Sequence, residues 1–174
     1  MQQVITRSFQ ETQKVGEEFA SILKGGEVLA LYGDLGSGKT TFMQGLAKGL
    51  GITRNIISPT FIIMRSYLIT DHSGKPKARP ESEKKEGSWT SQDDGFSAKN
   101  LYHIDLYRIE SEKDVEGLGL LELMNQPENI VAIEWPDKIE STLPEKRINI
   151  YFDYQGEDKR EIRVDQYIQS SSRT

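Results

Sequence analysis

"GDLGSGKT", Gly33 to Thr40, is the stretch on which the reading of this chain turns. It matches G-x-x-x-x-G-K-[ST] in full. The apolar run "EVLALYG" leads into it. "TTFMQGLAKGLG" follows, with Phe42, Met43, Leu46, Ala47 and Leu50 at helical spacing. A strand, a glycine-rich turn and a helix in that order make a phosphate cradle. Gly36 and Gly38 let the backbone fold tightly, so that successive N–H groups point inward at phosphate oxygens. The helix adds its positive N-terminal end. Lys39 would set a compact charge against the β- and γ-phosphates, and the Thr40 hydroxyl can ligate Mg²⁺. Gly33, Asp34, Ser37 and Thr41 complete the loop. The plainer alternative is a turn whose glycines serve only the turn, and the flanking strand and helix weigh against it. No Asn-Lys-x-Asp tetrapeptide for reading guanine is present, so ATP is the expected nucleotide.

Outward from the loop, the 174 residues suit one domain with a real core. The formal net charge of -5 argues against a protein that grips nucleic acid by itself. The chain has no cysteine, which excludes disulfides, thiolate zinc sites and cysteine nucleophiles. No apolar run approaches a membrane span, and the first residues lack the apolar core of a signal peptide. The cytoplasm is the expected compartment.

Periodicity predicts a helix over Ser8–Lys24, with Ser8 and Glu11 at capping-box spacing and Gly25-Gly26 ending it. "TFIIMRSYLIT", "LYHIDLYRI" and "NIVAIEW" read as strands, and Ser111 to about Asn125 as a further helix. "RINIYFDY" and "REIRVDQY" flank "QGEDK" as a terminal hairpin. The expected fold is therefore α/β, a P-loop NTPase-like three-layer arrangement. Its central sheet is mostly parallel and ends in an antiparallel hairpin. Residues 71–100 balance six basic against six acidic residues without periodicity, and read as a polar, flexible insertion rather than a basic nucleic-acid arm.

Hydrolysis also needs metal support and an oriented nucleophile. Parallel strands end on the ligand side of such sheets, so acids at strand ends are the candidates. Glu134 closes "IVAIE" as a metal-supporting acid would; it either holds Mg²⁺ through a water, orients the attacking water as a catalytic residue, or is only a solvated strand end. Asp105 lies late in "LYHIDLY", where it either serves the metal or the attacking water or forms a structural pair with His103 or Arg108. Thr60, in "SPTF", is a switch-loop candidate. Trp135 could cover the site, and Arg65 and Arg108 are the nearest candidates for a charge-stabilising arginine.

The series "GDLGSGKTT", "SPTF", "YHIDLYR", "LGLLEL" and "IEWPDK" resembles the TsaE (YjeE-type) ATPases of bacterial tRNA threonylcarbamoyladenosine biosynthesis. The P-loop is shared by many families; "SPTF" with "HIDLYR" and "IEW" is far more specific. The resemblance implies a small P-loop fold that binds ATP and Mg²⁺ and hydrolyses ATP slowly. It implies a TsaB–TsaD pair as partner, which transfers threonylcarbamoyl to adenosine 37 of tRNA, so that tRNA is met only through that pair. It also implies that Thr40 and Glu134 serve the metal and that Asp105 is a catalytic or metal-linked acid. Thr60 would belong to a switch loop, Trp135 would lie near the nucleotide, and Phe9 to Thr12 would approach the base. Residues 71–100 depart from the family's short turn. A small-molecule kinase and a binding-only nucleotide sensor are the competing readings.

Overall fold

The computed structural model describes residues 2–59, 61–70 and 98–166. Its centre is one seven-stranded sheet. The strands are β1 (Gln2–Thr6), β2 (Val28–Tyr32), β3 (Met64–Leu68), β4 (Asn100–Asp105), β5 (Asn129–Glu134), β6 (Ile148–Tyr154) and β7 (Arg160–Gln166), in the spatial order β1-β7-β6-β2-β5-β4-β3. β6, β2, β5 and β4 run parallel. The flanks are antiparallel: β3 on β4, then β6, β7 and β1 on the other side. The expected parallel centre and terminal hairpin are present. β1, which the periodicity of the chain did not announce, extends the hairpin by one strand.

β5 is buried along its whole length and β2 along nearly all of it, as apolar runs packed on both faces must be. Side-chain parity divides the core. Leu29, Leu31, Leu101, Ile130 and Ala132 face helices α1 (Phe9–Phe19) and α2 (Lys39–Gly49), packing with Phe19, Phe42, Met43 and Leu46. Val28, Ala30, Ile104, Leu106, Val131 and Ile133 face the opposite layer, with Leu120, Met124 and Ile139. α1 begins as its capping spacing predicts: Glu11 N–H donates to Ser8 Oγ at 3.1 Å, and Glu11 Oε2 accepts from Arg7 N–H at 2.7 Å. It ends at Phe19 and continues only as a 3₁₀ turn, Ala20–Ile22, short of the expected Lys24. α1 and α2 approach so closely that a Cβ on Gly45 would sit 1.8 Å from Gln13 O, so only glycine fits there.

Two expectations need correcting. The single helix over Ser111–Asn125 is two short pieces, a 3₁₀ turn Glu112–Val115 and α3 (Leu120–Met124). The left-handed backbone of Gly117 and Gly119 separates them. The insertion read as 71–100 ends earlier: Ala98 is buried with its N–H on Lys24 O at 2.9 Å, and Asn100 already belongs to β4. Residues 71–97 lie outside the described residues.

Candidate active site

β2 hands the chain to the loop Gly33–Gly38, and Gly38, at φ 106°, starts α2. A β-carbon cannot adopt that backbone cheaply. The N–H groups of the first turn of α2 are left for a ligand. Lys39 is the first helical residue and only 4 % exposed. Its Nζ donates to Gly33 O at 2.6 Å and to Asp34 O at 2.9 Å, and lies 4.3 Å from the centre of the Trp135 ring. Burial lowers the Lys39 pKa from its usual value, while Glu134, Asp105, Asp34 and Asp137 pull it back up. The loop therefore holds a buried cation facing acids.

Those acids come from strand parity and register. β4 and β5 are parallel, with Asp105 directly beside Glu134 at their carboxyl ends. His103, Asp105, Ala132 and Glu134 all project to the α2 side of the sheet. His103, Asp105 and Glu134 are 0 %, 4 % and 3 % exposed, so each needs a partner. Glu134 Oε1 accepts from Thr40 Oγ1 at 2.9 Å and meets His103 Nε2 at 2.8 Å. Asp105 Oδ2 accepts from Ser58 Oγ at 2.5 Å, and Asp105 Oδ1 accepts from Tyr107 N–H at 3.0 Å. His103 thus serves Glu134, not the Asp105 beside which the sequence set it.

A cleft of about 370 Å³ gathers Gly36, Gly38, Lys39, Thr40, Thr41, Ser58, Asp105, Tyr107, Glu134 and Trp135. A larger groove of about 860 Å³ runs past Gln13, Gln44, Lys48 and Arg54, but among the described residues no carboxylate lines it. The glycine loop and both buried acids meet in the smaller one. Of the remaining expected residues, Gly33 opens the loop and Ser37 is buried within it. Ser37 Oγ is buried with no hydrogen-bond partner among the described residues, 2.8 Å from where a Cβ of Gly33 would be. Asp34 contributes its carbonyl while its side chain faces solvent. Thr60 lies outside the described residues. Neither Arg65 nor Arg108 lines the cleft; Arg65 is exposed on β3 and the Arg108 guanidinium stacks 4.2 Å from the Phe61 ring.

Three neighbours were missed. Ser58 opens the quoted "SPTF", and its hydroxyl was the available signal. Tyr107 acts through its backbone N–H, which no side-chain pattern reveals. Arg160, at the start of β7, lies over the loop: a Cβ on Gly38 would meet its Cδ at 2.9 Å and its Nε at 3.2 Å, with Thr12 Cγ2 at 3.6 Å. Nothing in spacing marks a residue so far along the chain.

A parallel sheet centre, a glycine loop capping α2 and two acids at adjacent strand ends define a P-loop NTPase-like α/β protein. The family model described as "Threonylcarbamoyl adenosine biosynthesis protein TsaE" matches residues 6–75 and 89–162. The chain belongs to the TsaE family, whose members take part in the biosynthesis of threonylcarbamoyladenosine in tRNA. It is 39 % identical to the tRNA threonylcarbamoyladenosine biosynthesis protein TsaE of Bacillus subtilis over 88 % of this chain and 78 % of that one. It is 32 % identical to that of Treponema pallidum, over 92 % and 97 %. Among solved structures it is similar to Bacillus subtilis YdiB, with a TM-score of 0.64, 32 % identity, and coverage of 92 % of this chain and 82 % of that one. Among the described residues no helix is long and apolar enough to cross a membrane.

Proposed function

We propose that the chain is a Mg²⁺-dependent ATPase of the cytoplasm that drives threonylcarbamoylation of adenosine 37 in tRNA, working with a TsaB–TsaD-type pair. One observation carries the reading: Asp105 and Glu134 stand side by side at strand ends, facing the loop that presents Lys39 and Thr40. ATP phosphates would lie along Gly36–Thr41, neutralised by Lys39 and the end of α2. The donors suit Mg²⁺, a hard cation that takes one or two carboxylates and fills its shell with waters and phosphate oxygens. Thr40 and Glu134 supply a hydroxyl and a carboxylate oxygen already 2.9 Å apart. The ion would supply charge neutralisation at the transferred phosphoryl group. Asp105, held by Ser58 and Tyr107, is the carboxylate that orients the attacking water and accepts its proton. Trp135 and Arg160 border the nucleotide, and Thr60 belongs to the loop that responds to it.

Reconstitution is the test. The purified chain should hydrolyse ATP weakly, and faster with the TsaB–TsaD pair, and tRNA modification should require it. Lys39→Ala, which removes the point charge, should weaken ATP binding by about ten-fold or more, measured by calorimetry. Modification that proceeds without this chain, or ATP affinity untouched by Lys39→Ala, would refute the reading.

A further inference from the structure

His103 is a fully buried imidazole in the middle of a sheet. A histidine that serves only packing satisfies both ring nitrogens or leans on apolar neighbours. Here Nδ1 is buried with no hydrogen-bond partner among the described residues, while Nε2 lies 2.8 Å from Glu134 Oε1. A carboxylate oxygen only accepts, so it is an Nε2–H that points at Glu134, and among the described residues nothing accepts from Nδ1. Register explains the reach. His103 is paired with Ala132, whose small side chain shares its face, so the imidazole leans past it to Glu134, the next residue on that face. The same carboxylate oxygen accepts from Thr40. Glutamate has three rotatable side-chain bonds, and two donors on one oxygen leave it a single orientation.

We infer that His103 is a positioning residue for Glu134: its Nε2–H fixes the carboxylate against the Thr40 hydroxyl, so that the pair is preorganised for a divalent cation carried by the nucleotide. This rests on the proposed function, because it gives the Thr40–Glu134 pair a metal to hold. Partners that orient a metal's ligands are worth about ten- to hundred-fold in metal affinity or activity.

The experiment measures Mn²⁺ binding by electron paramagnetic resonance, on the full chain loaded with a non-hydrolysable ATP analogue. Turnover and metal-free analogue binding in EDTA are measured in parallel. His103→Leu keeps bulk but removes the donor. It should weaken Mn²⁺ binding by about ten-fold or more and raise the Mg²⁺ needed for half-maximal turnover. It should leave metal-free analogue binding unchanged, since Lys39 and the loop are untouched. His103→Gln places an amide N–H near the position of Nε2 and should restore binding, whereas His103→Asn, one bond shorter, should not. If His103→Leu fails to fold, the Gln and Asn variants decide by the same comparison. Equal Mn²⁺ affinity in all folded variants, or equal losses in Gln and Asn, overturns the inference while the proposed function stands. Wild-type protein that takes up no Mn²⁺ with the analogue overturns both.

Discussion

Asp105 is a buried acid that accepts from the Ser58 hydroxyl and from the Tyr107 N–H. In Asp105→Asn the carbonyl can keep the Tyr107 N–H, and the new NH₂ can donate to Ser58 Oγ, because a hydroxyl accepts as readily as it donates. The variant should therefore melt close to wild type and bind ATP normally. It should lose about a hundred-fold or more of its turnover, the usual worth of a positioned general base; single-turnover hydrolysis reads this directly. Unfolding without a selective loss would assign Asp105 a purely structural part. Tyr32 yields a pH prediction. Burial, then a 3.0 Å hydrogen bond to Glu140 and the charge of that carboxylate, push its phenol up to about 12, against the opposing pull of Arg147. Between the ordinary 10.0 and about 12 the folded chain keeps a proton that the unfolded chain releases, so stability falls as pH rises through that window. Tyr32→Phe should show a shallower fall in denaturation midpoint across it. Which residues gather at the candidate site was largely legible. Lys39, Thr40, Asp105, Glu134 and Trp135 all follow from spacing and strand ends, and all line one cleft. Which side chain bonds which was not legible, because His103 chooses Glu134 only once β4 and β5 are in register.

Elements were legible where they are local and long. α2 and the buried β5 declare themselves by period and by apolar run. β1 does not, because five residues with little apolar pattern become a strand only by pairing with β7 at the far end of the chain. The helix expected over Ser111–Asn125 failed for a local reason, two left-handed glycines that outweigh the apolar spacing around them. The contact between α1 and α2 gives the sharpest element-scale prediction. Alanine in place of Gly45 gains about 1 kcal/mol of helix propensity. Its Cβ would nonetheless meet Gln13 O at 1.8 Å and Gln13 C at 2.6 Å, both backbone atoms that move only if a helix moves. Overpacking costs about 1–3 kcal/mol, and more where backbone must shift, so the clash should win. Gly45→Ala should lower the urea midpoint and, since α2 carries the phosphate loop, weaken ATP binding as well. An unchanged midpoint would mean that α1 yields freely.

At the scale of the molecule, the site belongs to a sheet whose parts are far apart in sequence. The family match passes over residues 76–88. On either side of that stretch the chain is already joined: Ile69 N–H donates to Lys99 O at 2.9 Å, and Leu68 pairs with Asn100. A short turn can close that gap. Excising residues 76–88 should leave ATP affinity unchanged by calorimetry, and a loss would show that the stretch serves the nucleotide site.

The strand order also governs how the chain is made. β2 carries the phosphate loop, yet its sheet neighbours are β5 and β6, so Val28 waits for Val131 and Leu29 for Ile148. β1 waits longer still, for β7. As the polypeptide leaves the ribosome, β2 and its glycine loop emerge before β5 and β6 and have no sheet to stand in. Mostly non-local pairing of this kind slows folding. Until β5 and β6 arrive, β2 is an apolar strand with both edges open, the kind of surface on which chaperones act.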